Sequence, residues 1–362
     1  MYKVPFLPPP KNLQTPEVLH RLIGARSALA ELKGMAGNIP NQQILIDTLG
    51  LQEAKDSSEI ENIVTSQDEL FISSPQTGLF ASAASKEVYQ YAFALKKGFE
   101  LVKTHGLLTN NYILEVQAVI DQNRAGYRRL PGTKLINDKT NEVVYTPPQD
   151  YDTIVKLMDN LQTFMNDDRI YKADPLVKMA IVHHQFESIH PFYDGNGRTG
   201  RIINLLYLIQ KGLLHLPILY LSRYIIKHKA AYYKLLQQVR DTGEWEAWIL
   251  FMLDGVEETA TQGVATVNGI KQLMQEYKHR IRTELPKIYS QDLLNNFFRH
   301  PYTKIEYLMK DLGKSRLTIT KYLDAVAERG LLKKTKVGRD NYYINPVLVE
   351  LLANNSEKQK RR

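Results

Sequence analysis

Apolar residues recur at helical spacing along most of this chain. The first such run follows Thr15-Pro16-Glu17, a sequence typical of a helix N-cap with a proline and an acid in the first turn, and Gly34 and Gly37 are expected to mark its end. The same spacing predicts further helices over about 41–55, 57–71, 85–104, 109–121, 148–166, 174–188, 198–211, 221–241 and 244–283. We therefore expect a mainly α fold.

Two segments depart from this pattern. Thr133 to Tyr145 alternates apolar and polar residues and is flanked by prolines, which predicts a β-hairpin that turns at 137–141. After Pro286 the predicted helices are short, at about 290–299, 303–312 and 315–329, and a second hairpin follows with strands near 331–334 and 342–344. Three short helices followed by a β-wing resemble a winged helix-turn-helix domain.

The charge of the chain is concentrated at one end. Its 362 residues carry 47 basic and 39 acidic side chains, a formal charge of +8. The last 76 residues hold 16 of the basic and 8 of the acidic side chains, so the rest of the chain is balanced. The absence of cysteine excludes a disulfide framework, a zinc finger and a thiol nucleophile. With neither a signal peptide nor a membrane-spanning run recognised, we expect a cytoplasmic protein.

The segment His190 to Arg201, HPFYDGNGRTGR, combines residue types that suit a nucleotide polyphosphate. Gly195-Asn196-Gly197 allows a tight turn that exposes backbone amides at the start of the next helix, where the helix dipole also favours an anion. Arg198 and Arg201 are three residues apart, and therefore on one helical face, where their guanidinium groups can bind phosphate oxygens.

Two further residues of this segment suit catalysis. Asp194 is a hard oxygen ligand next to the predicted phosphate site, and such a ligand suits Mg²⁺. His190 carries an imidazole that titrates near neutrality and can take a proton from an attacking hydroxyl. Each of these residue types alone is usually structural, but their combination is specific.

The whole string resembles the signature of the Fic family, HPFx(D/E)GNGRxxR, at every fixed position. Fic proteins are helical enzymes that transfer a nucleoside monophosphate, most often AMP from ATP, to a hydroxyl side chain of a target protein. The resemblance implies that His190 is the general base and that Asp194 holds Mg²⁺ at the α- and β-phosphates. It further implies that Asn196 with its neighbouring amides grips the phosphates, and that Arg198 and Arg201 bind their β/γ end.

The resemblance also assigns roles outside the signature. The hairpin at Thr133–Tyr145 falls where the family has a flap, whose edge can pair with a strand of the target protein. Leu135 and Ile136 are expected to cover the nucleotide as well. Tyr232, together with its neighbour Tyr233, resembles the paired tyrosines that line the adenine pocket, although an aromatic pair in a helix is more often part of a core.

A second motif lies about 130 residues upstream of the signature. Ser57, Glu61 and Asn62 fit the family's inhibitory pattern (S/T)xxxE(G/N), which is also the pattern of an ordinary N-capped helix with surface acids. In the subgroup with an N-terminal inhibitory helix, this glutamate would pair with Arg201 and occupy the place of the γ-phosphate. The same glutamate could instead orient a water for removal of AMP.

These assignments predict four parts of the chain: an N-terminal helical region with the inhibitory helix at 1–105, a Fic core at 106–285, a winged helix-turn-helix domain at 286–350 and a basic tail at 351–362. In the third part, Lys314 to Leu323 has the composition of a recognition helix, and Lys333, Lys334, Lys336 and Arg339 are expected in the wing.

The sequence leaves several functions open. The first hypothesis is an autoinhibited protein adenylyltransferase that uses ATP and Mg²⁺ and modifies Tyr, Ser or Thr of a target and of itself. The second is a DNA-binding regulator whose Fic core senses a nucleotide. A third is a Fic enzyme with another nucleotide donor. A homodimer remains open, and a membrane partner is not expected.

Overall fold

The computed structural model describes residues 2–73, 78–136, 141–337 and 340–357. Helices dominate the described part of the chain, as the sequence predicts. Ten of them lie before the long helix that precedes the C-terminal region: α1 (Pro16–Gly37), α2 (Gln43–Ile60), α3 (Gln67–Ile72), α4 (Ala83–His105), α5 (Asn110–Asp121), α6 (Tyr151–Asn166), α7 (Pro175–Ile189), α8 (Asn196–Gln210), α9 (Leu221–Lys227) and α10 (Lys229–Thr242). The others are α11 (Glu246–Glu284), α12 (Gln291–Arg299), α13 (Ile305–Leu312), α14 (Arg316–Glu328) and α15 (Pro346–Glu357).

Strands are few and short in the described residues. The first antiparallel pair is β1 (Leu135–Ile136) with β2 (Val143–Tyr145), which confirms the predicted hairpin. The second sheet contains β3 (Tyr302–Thr303), β4 (Lys333–Val337) and β5 (Asp340–Ile344) in the order β3-β5-β4, and all pairs are antiparallel.

Helices α7 and α8 form the centre of the fold around the signature. Helix α7 begins where the Asp174 side chain accepts a hydrogen bond from the Leu176 amide (2.8 Å) and Pro175 occupies the first turn. Every residue from Leu176 to Ile189 is buried, so the helix is covered on all sides. Helix α8 is buried over most of its length. The short loop between these two helices is thereby held by the core.

The chain divides into two compact units that are not continuous in sequence. The first contains residues 1–33, 53–63 and 87–261, and the second contains residues 34–52, 64–86 and 262–362. Within the second unit, Arg299 pairs with Asp47 (3.1 Å), and the Tyr302 and Tyr342 hydroxyls donate to Asp68 (2.6 Å) and to the Ile72 carbonyl (2.8 Å). The C-terminal helices and sheet therefore pack with two upstream segments. The division of the chain into the four parts that the sequence suggests stays a prediction.

Three predicted helix boundaries were wrong. The helix predicted over 57–71 is interrupted between Ile60, where α2 ends, and Gln67, where α3 begins. Helix α2 runs unbroken through residues 55–57, where the sequence suggested a break, because Asp56 and Ser57 are buried and bonded to distant arginines. The predicted helix over 221–241 is divided at His228 into α9 and α10.

Two elements of the C-terminal region were not expected. Strand β3 precedes α13, and helix α15 follows the second hairpin. Parts of other predictions lie outside the described residues: the first hairpin's turn at 137–140, the second's turn at 338–339 with Arg339, and the tail at 358–362. No helix in the described part of the chain is both long enough and apolar enough to cross a bilayer.

Candidate active site

His190 lies where α7 ends, in a left-handed backbone conformation (φ 49°, ψ 59°) that terminates the helix. The side chain of Arg128, which is 1% exposed, donates from Nε to the His190 carbonyl (2.9 Å), and the Arg128 amide donates to the Pro191 carbonyl (2.9 Å). Burial, together with the positive charges of Arg128 and Arg240, lowers the pKa of His190 to about 4, and Glu61 opposes this shift. His190 is therefore neutral at pH 7, as a general base must be.

The loop between His190 and α8 is built around Asn196. Its side-chain oxygen accepts from the Phe192 amide (2.8 Å), and its side-chain nitrogen donates to the Phe192 carbonyl (2.9 Å). Both ends of the side-chain amide are thus bound to the loop backbone, so Asn196 fixes the loop shape. Asp194 projects outward, with a side chain 72% exposed and Oδ1 accepting from the Gly195 amide (2.6 Å).

Within the part of the chain that the structure describes, no side chain caps the start of α8. Gly195 is the N-cap residue with φ 74°, a conformation that favours glycine, and it has no side chain that could accept from the first-turn amides. A Cβ on Gly197 would lie against the carboxylate of Glu61 and 3.0 Å from Nη1 of Arg201. A carboxylate therefore rests on the first turn of α8, in the position that favours an anion.

Glu61 reaches this position from the end of α2. Its Oε1 accepts from Nη2 of Arg201 (2.8 Å). Ser57, four residues earlier and therefore on the same helical face, accepts from Arg201 twice, through its hydroxyl (2.8 Å) and its carbonyl (2.9 Å). Burial of Arg201, which is 2% exposed, is the largest single influence on its pKa and lowers it. The charge and hydrogen bond of Glu61, together with Tyr232 and Tyr91, outweigh burial and raise the pKa.

Asn62 completes the motif by ending the helix. Its φ of 62° is left-handed, and the Ile63 amide donates back to the Ser58 carbonyl (3.0 Å) in a Schellman-type closure. This conformation explains why Asn or Gly follows the glutamate in the pattern. The Asn62 side chain also accepts from Nζ of Lys229 (3.1 Å), at the start of α10.

Arg198 is almost as buried as Arg201, at 5% exposed, and it too faces a carboxylate. Its Nη1 donates to Glu87 of α4 (3.1 Å), and Asp194 lies 3.7 Å from its Nη2. The two signature arginines are therefore brought to the start of α8, as predicted, and each faces an acidic side chain. Glu87 was not expected, because it lies far from the signature in sequence.

The flap residues lie in the first hairpin. Leu135 is half-buried and Ile136 is 52% exposed. Tyr145, at the other end of the pairing, is buried: its hydroxyl donates to the Ser188 carbonyl (2.7 Å), and the guanidinium of Arg240 lies 3.9 Å from its ring centroid. The base of the hairpin is thereby fixed to α7, two residues before His190. The sequence reasoning missed Tyr145 and Arg240.

The two adjacent tyrosines of α10 differ in exposure. Tyr232 is 1% exposed, its hydroxyl is 2.8 Å from Nε2 of His183, and its ring contacts Trp248. Tyr233 is 46% exposed and meets the Tyr232 ring edge-on. Tyr232 is therefore a core residue here, and Tyr233 is the member of the pair that can contact a ligand.

A buried carboxyl lies one turn before His190. Burial raises the pKa of Glu187 to about 7, with Glu61 adding to the shift and Arg201 opposing it. A Cβ on Gly200 would meet Glu187 Oε1 at 2.5 Å, so a larger residue there would displace the Glu187 carboxyl. The sequence offered one signal for Glu187, which is that it lies three residues before the signature histidine.

Few of the described side chains at this site could coordinate a metal ion. Within the described ranges, no group of three or more acidic or histidine side chains is arranged to hold a metal ion. Asp194 offers a well-exposed carboxylate beside the start of α8. This fits Mg²⁺, which commonly keeps several waters and uses one or two carboxylates together with substrate phosphates.

Comparison with known proteins identifies the class. Residues 107–208 match the model described as Fic/DOC family, residues 19–100 match Fic/DOC family N-terminal, and residues 273–348 match the C-terminal domain of protein adenylyltransferase SoFic-like. The chain therefore belongs to the Fic/DOC family and carries, after its two Fic domains, a SoFic-like C-terminal domain.

Several relatives support this assignment. A probable protein adenylyltransferase of Aquifex aeolicus is 32% identical over 190 residues, which are 50% of this chain and 54% of that protein. The protein adenylyltransferase Fic of Aedes aegypti is 30% identical over 115 residues, 32% of this chain and 21% of that protein. The matched segments thus span about a fifth of the Aedes aegypti protein and about half of the Aquifex aeolicus protein. A Fic family protein from Desulfovibrio desulfuricans shares the fold, with a TM-score of 0.60 at 19% identity. The superposition covers 93% of this chain and 98% of that protein.

Proposed function

We propose that this protein transfers AMP from ATP to a hydroxyl side chain of a target protein and of itself. The observation that carries the proposal is the junction of α7 and α8. A neutral His190 ends one helix, an uncapped helix start follows five residues later, and two buried arginines, Arg198 and Arg201, face that start. The relatives' names give the same activity.

The chemistry follows from these positions. The target hydroxyl attacks the α-phosphorus of ATP and gives its proton to His190. A new oxygen–phosphorus bond forms, the bond from the α-phosphorus to the bridging oxygen breaks, and pyrophosphate leaves. The first-turn amides of α8 and the guanidinium groups of Arg198 and Arg201 hold the phosphates in line. Mg²⁺, held at Asp194, would neutralise charge on the phosphates.

The target would dock on the flap. Ile136, Val143 and Val144 expose apolar side chains along the hairpin, and its strands can pair with an extended segment of another protein. Such pairing depends on the backbone of the target segment more than on its side chains, so that segment could present Tyr, Ser or Thr to the active site. Leu135 and Ile136 would cover the nucleotide, and the adenine base of ATP would contact Tyr233 in place of Tyr232.

Glu61 would inhibit the enzyme. Its carboxylate lies on the first turn of α8 and pairs with Arg201, so ATP cannot place its γ-phosphate there until Glu61 leaves. Because the Glu61 side chain is 35% exposed while Arg201 is fixed by Ser57, the glutamate is the partner that moves. The protein is then a two-state switch. Glu61 could also orient a water for AMP removal.

The C-terminal region has a second proposed role in binding DNA as a winged helix-turn-helix domain. Helix α14 and strand β4 expose basic side chains, among them Lys321, Lys333 and Lys336. Such charges bind DNA phosphates with a salt-sensitive affinity.

Oligomeric state and location are further proposals. A homodimer would not use Arg223 or Arg240, since each is 8% exposed within one copy. The protein would act in the cytoplasm, where ATP and protein targets are available and a chain without cysteine needs no oxidising compartment.

Mass spectrometry tests the proposed activity. The Glu61→Gly variant, incubated with ATP, Mg²⁺ and cell lysate, is expected to add AMP to hydroxyl side chains of itself and of lysate proteins. Wild-type protein should add less, and a variant that also carries His190→Ala should add none. Phosphate in place of AMP, or no adduct, would refute the proposal.

A further inference from the structure

The contact between Arg198 and Glu87 matches the one between Arg201 and Glu61. In both pairs the arginine is nearly inaccessible, at 5% and 2% exposed, while the side chain of the carboxylate is on the rim, at 43% and 35%. The nitrogen-to-oxygen distances are also similar, 3.1 and 2.8 Å. In each pair, the guanidinium of the arginine is buried and fixed, and the acidic side chain can move into solvent.

Arg198 is less completely satisfied than Arg201. Two of the three hydrogen bonds from Arg201 go to Ser57 and would survive the departure of Glu61. Among the described residues, Nε of Arg198 is buried without a hydrogen-bond partner, and the acidic neighbours of this guanidinium are Glu87 and Asp194. A buried, unsatisfied N–H next to the uncapped start of α8 indicates a site prepared for an incoming acceptor.

The negative charge of Glu87 opposes the binding of a negatively charged acceptor at Arg198. A phosphate oxygen that approaches Arg198 meets the negative charge of Glu87 on the same guanidinium. Glu87 therefore weakens phosphate binding, and withdrawal of its side chain into solvent costs little because it is already partly solvated.

We infer that Glu87 is a second carboxylate competitor at the phosphate site, which holds Arg198 in the absence of nucleotide and lowers the affinity of the site for the phosphate chain of ATP. The inference rests on the proposed binding of ATP at these arginines. Glu87 is a specificity-determining residue for nucleotide binding, and it takes no part in proton transfer.

Isothermal titration calorimetry with ATP and Mg²⁺ tests this directly. The background is the full chain with Glu61→Gly and His190→Ala, which removes the other competitor and prevents turnover. Adding Glu87→Gln should lower the Kd for ATP about 1.4- to 5-fold, the range expected for a partly exposed ion pair. AMP, which lacks the β- and γ-phosphates, should bind the two proteins equally. Glu100→Gln, an exposed acid on the same helix α4, is the matched control and should change neither Kd.

Kinetics gives a second readout with His190 intact. In the Glu61→Gly protein, Glu87→Gln should lower the KM for ATP and leave kcat unchanged. An unchanged or raised Kd for ATP, an equal change in the Kd for AMP, or a fall in kcat would each overturn the inference, the last because it would make Glu87 a residue that orients Arg198 for reaction. If ATP binding tightens as expected but no AMP is transferred, the proposed function fails while the role of Glu87 stands.

Discussion

Replacing Glu61 with glutamine should make the protein more active and less stable. The change removes the negative charge that faces Arg201 and keeps the size of the side chain. Arg201, 2% exposed, would retain its two bonds to Ser57 but lose its charged partner. The state with Glu61 on α8 is thereby weakened, and the state open to ATP is favoured.

The size of the effect follows from the geometry. A hydrogen bond to a charged group contributes about 1.5–3 kcal/mol, and the 35% exposure of the Glu61 side chain brings the expected value to about 1–2 kcal/mol. That free energy corresponds to roughly a 5–30-fold change in the equilibrium between closed and open states. We therefore expect AMP transfer to rise by roughly 5–30-fold, and the Tm without nucleotide to fall by about 1–3 °C.

Two assays on the same preparations measure this. Transfer of label from ATP to protein gives the activity, and thermal unfolding without nucleotide gives the Tm. Glu59→Gln is the matched control, since Glu59 lies on the same helix and pairs with Lys55 (3.3 Å) at the surface. It should change neither value. A Glu61→Gln variant with wild-type activity, or one in which activity and Tm fall together, would refute the proposed inhibition.

Two further results are expected. In the Glu61→Gly variant, kcat/KM should stay constant as pH falls from about 8 through 6, because the neutral imidazole of His190 is the base. It should decline only at about pH 4 or below, because the His190 pKa of about 4 includes an upward contribution from Glu61 that this variant lacks. A decline centred near about pH 6.5 would show an unperturbed histidine. The full chain should retard duplex DNA in a mobility-shift assay, more weakly as salt rises, and a triple Lys321→Ala, Lys333→Ala, Lys336→Ala variant should lose the shift; no retardation of wild-type protein at low salt contradicts DNA binding.

The local parts of the site were predictable from the sequence, because their spacing is set by one helix or one turn. The positions of Arg198 and Arg201 on α8, and of Ser57 near the end of α2 with Glu61 directly after it, are of this kind. Both pairs meet at the start of α8. That meeting is what the family resemblance implied, and no periodicity within either segment encodes it.

Other features depend on contacts distant in sequence. The break expected within α2 was wrong because Asp56, which looks like a loop residue, is buried against Arg223 (3.1 Å). Arg128 could not be recognised, since it acts by donating to backbone carbonyls, which every residue has. Glu87 looks like an ordinary surface acid of an amphipathic helix until Arg198 is placed beside it.

One comparison tests the central claim most directly. The Glu61→Gly variant is incubated in parallel with ATP labelled at the α-phosphate and ATP labelled at the γ-phosphate, and protein-bound label is measured. The proposed mechanism predicts retention of the α-label alone, less of it in wild-type protein, and none when His190→Ala is added. Retention of the γ-label, or α-label that persists without His190, would contradict AMP transfer by this site.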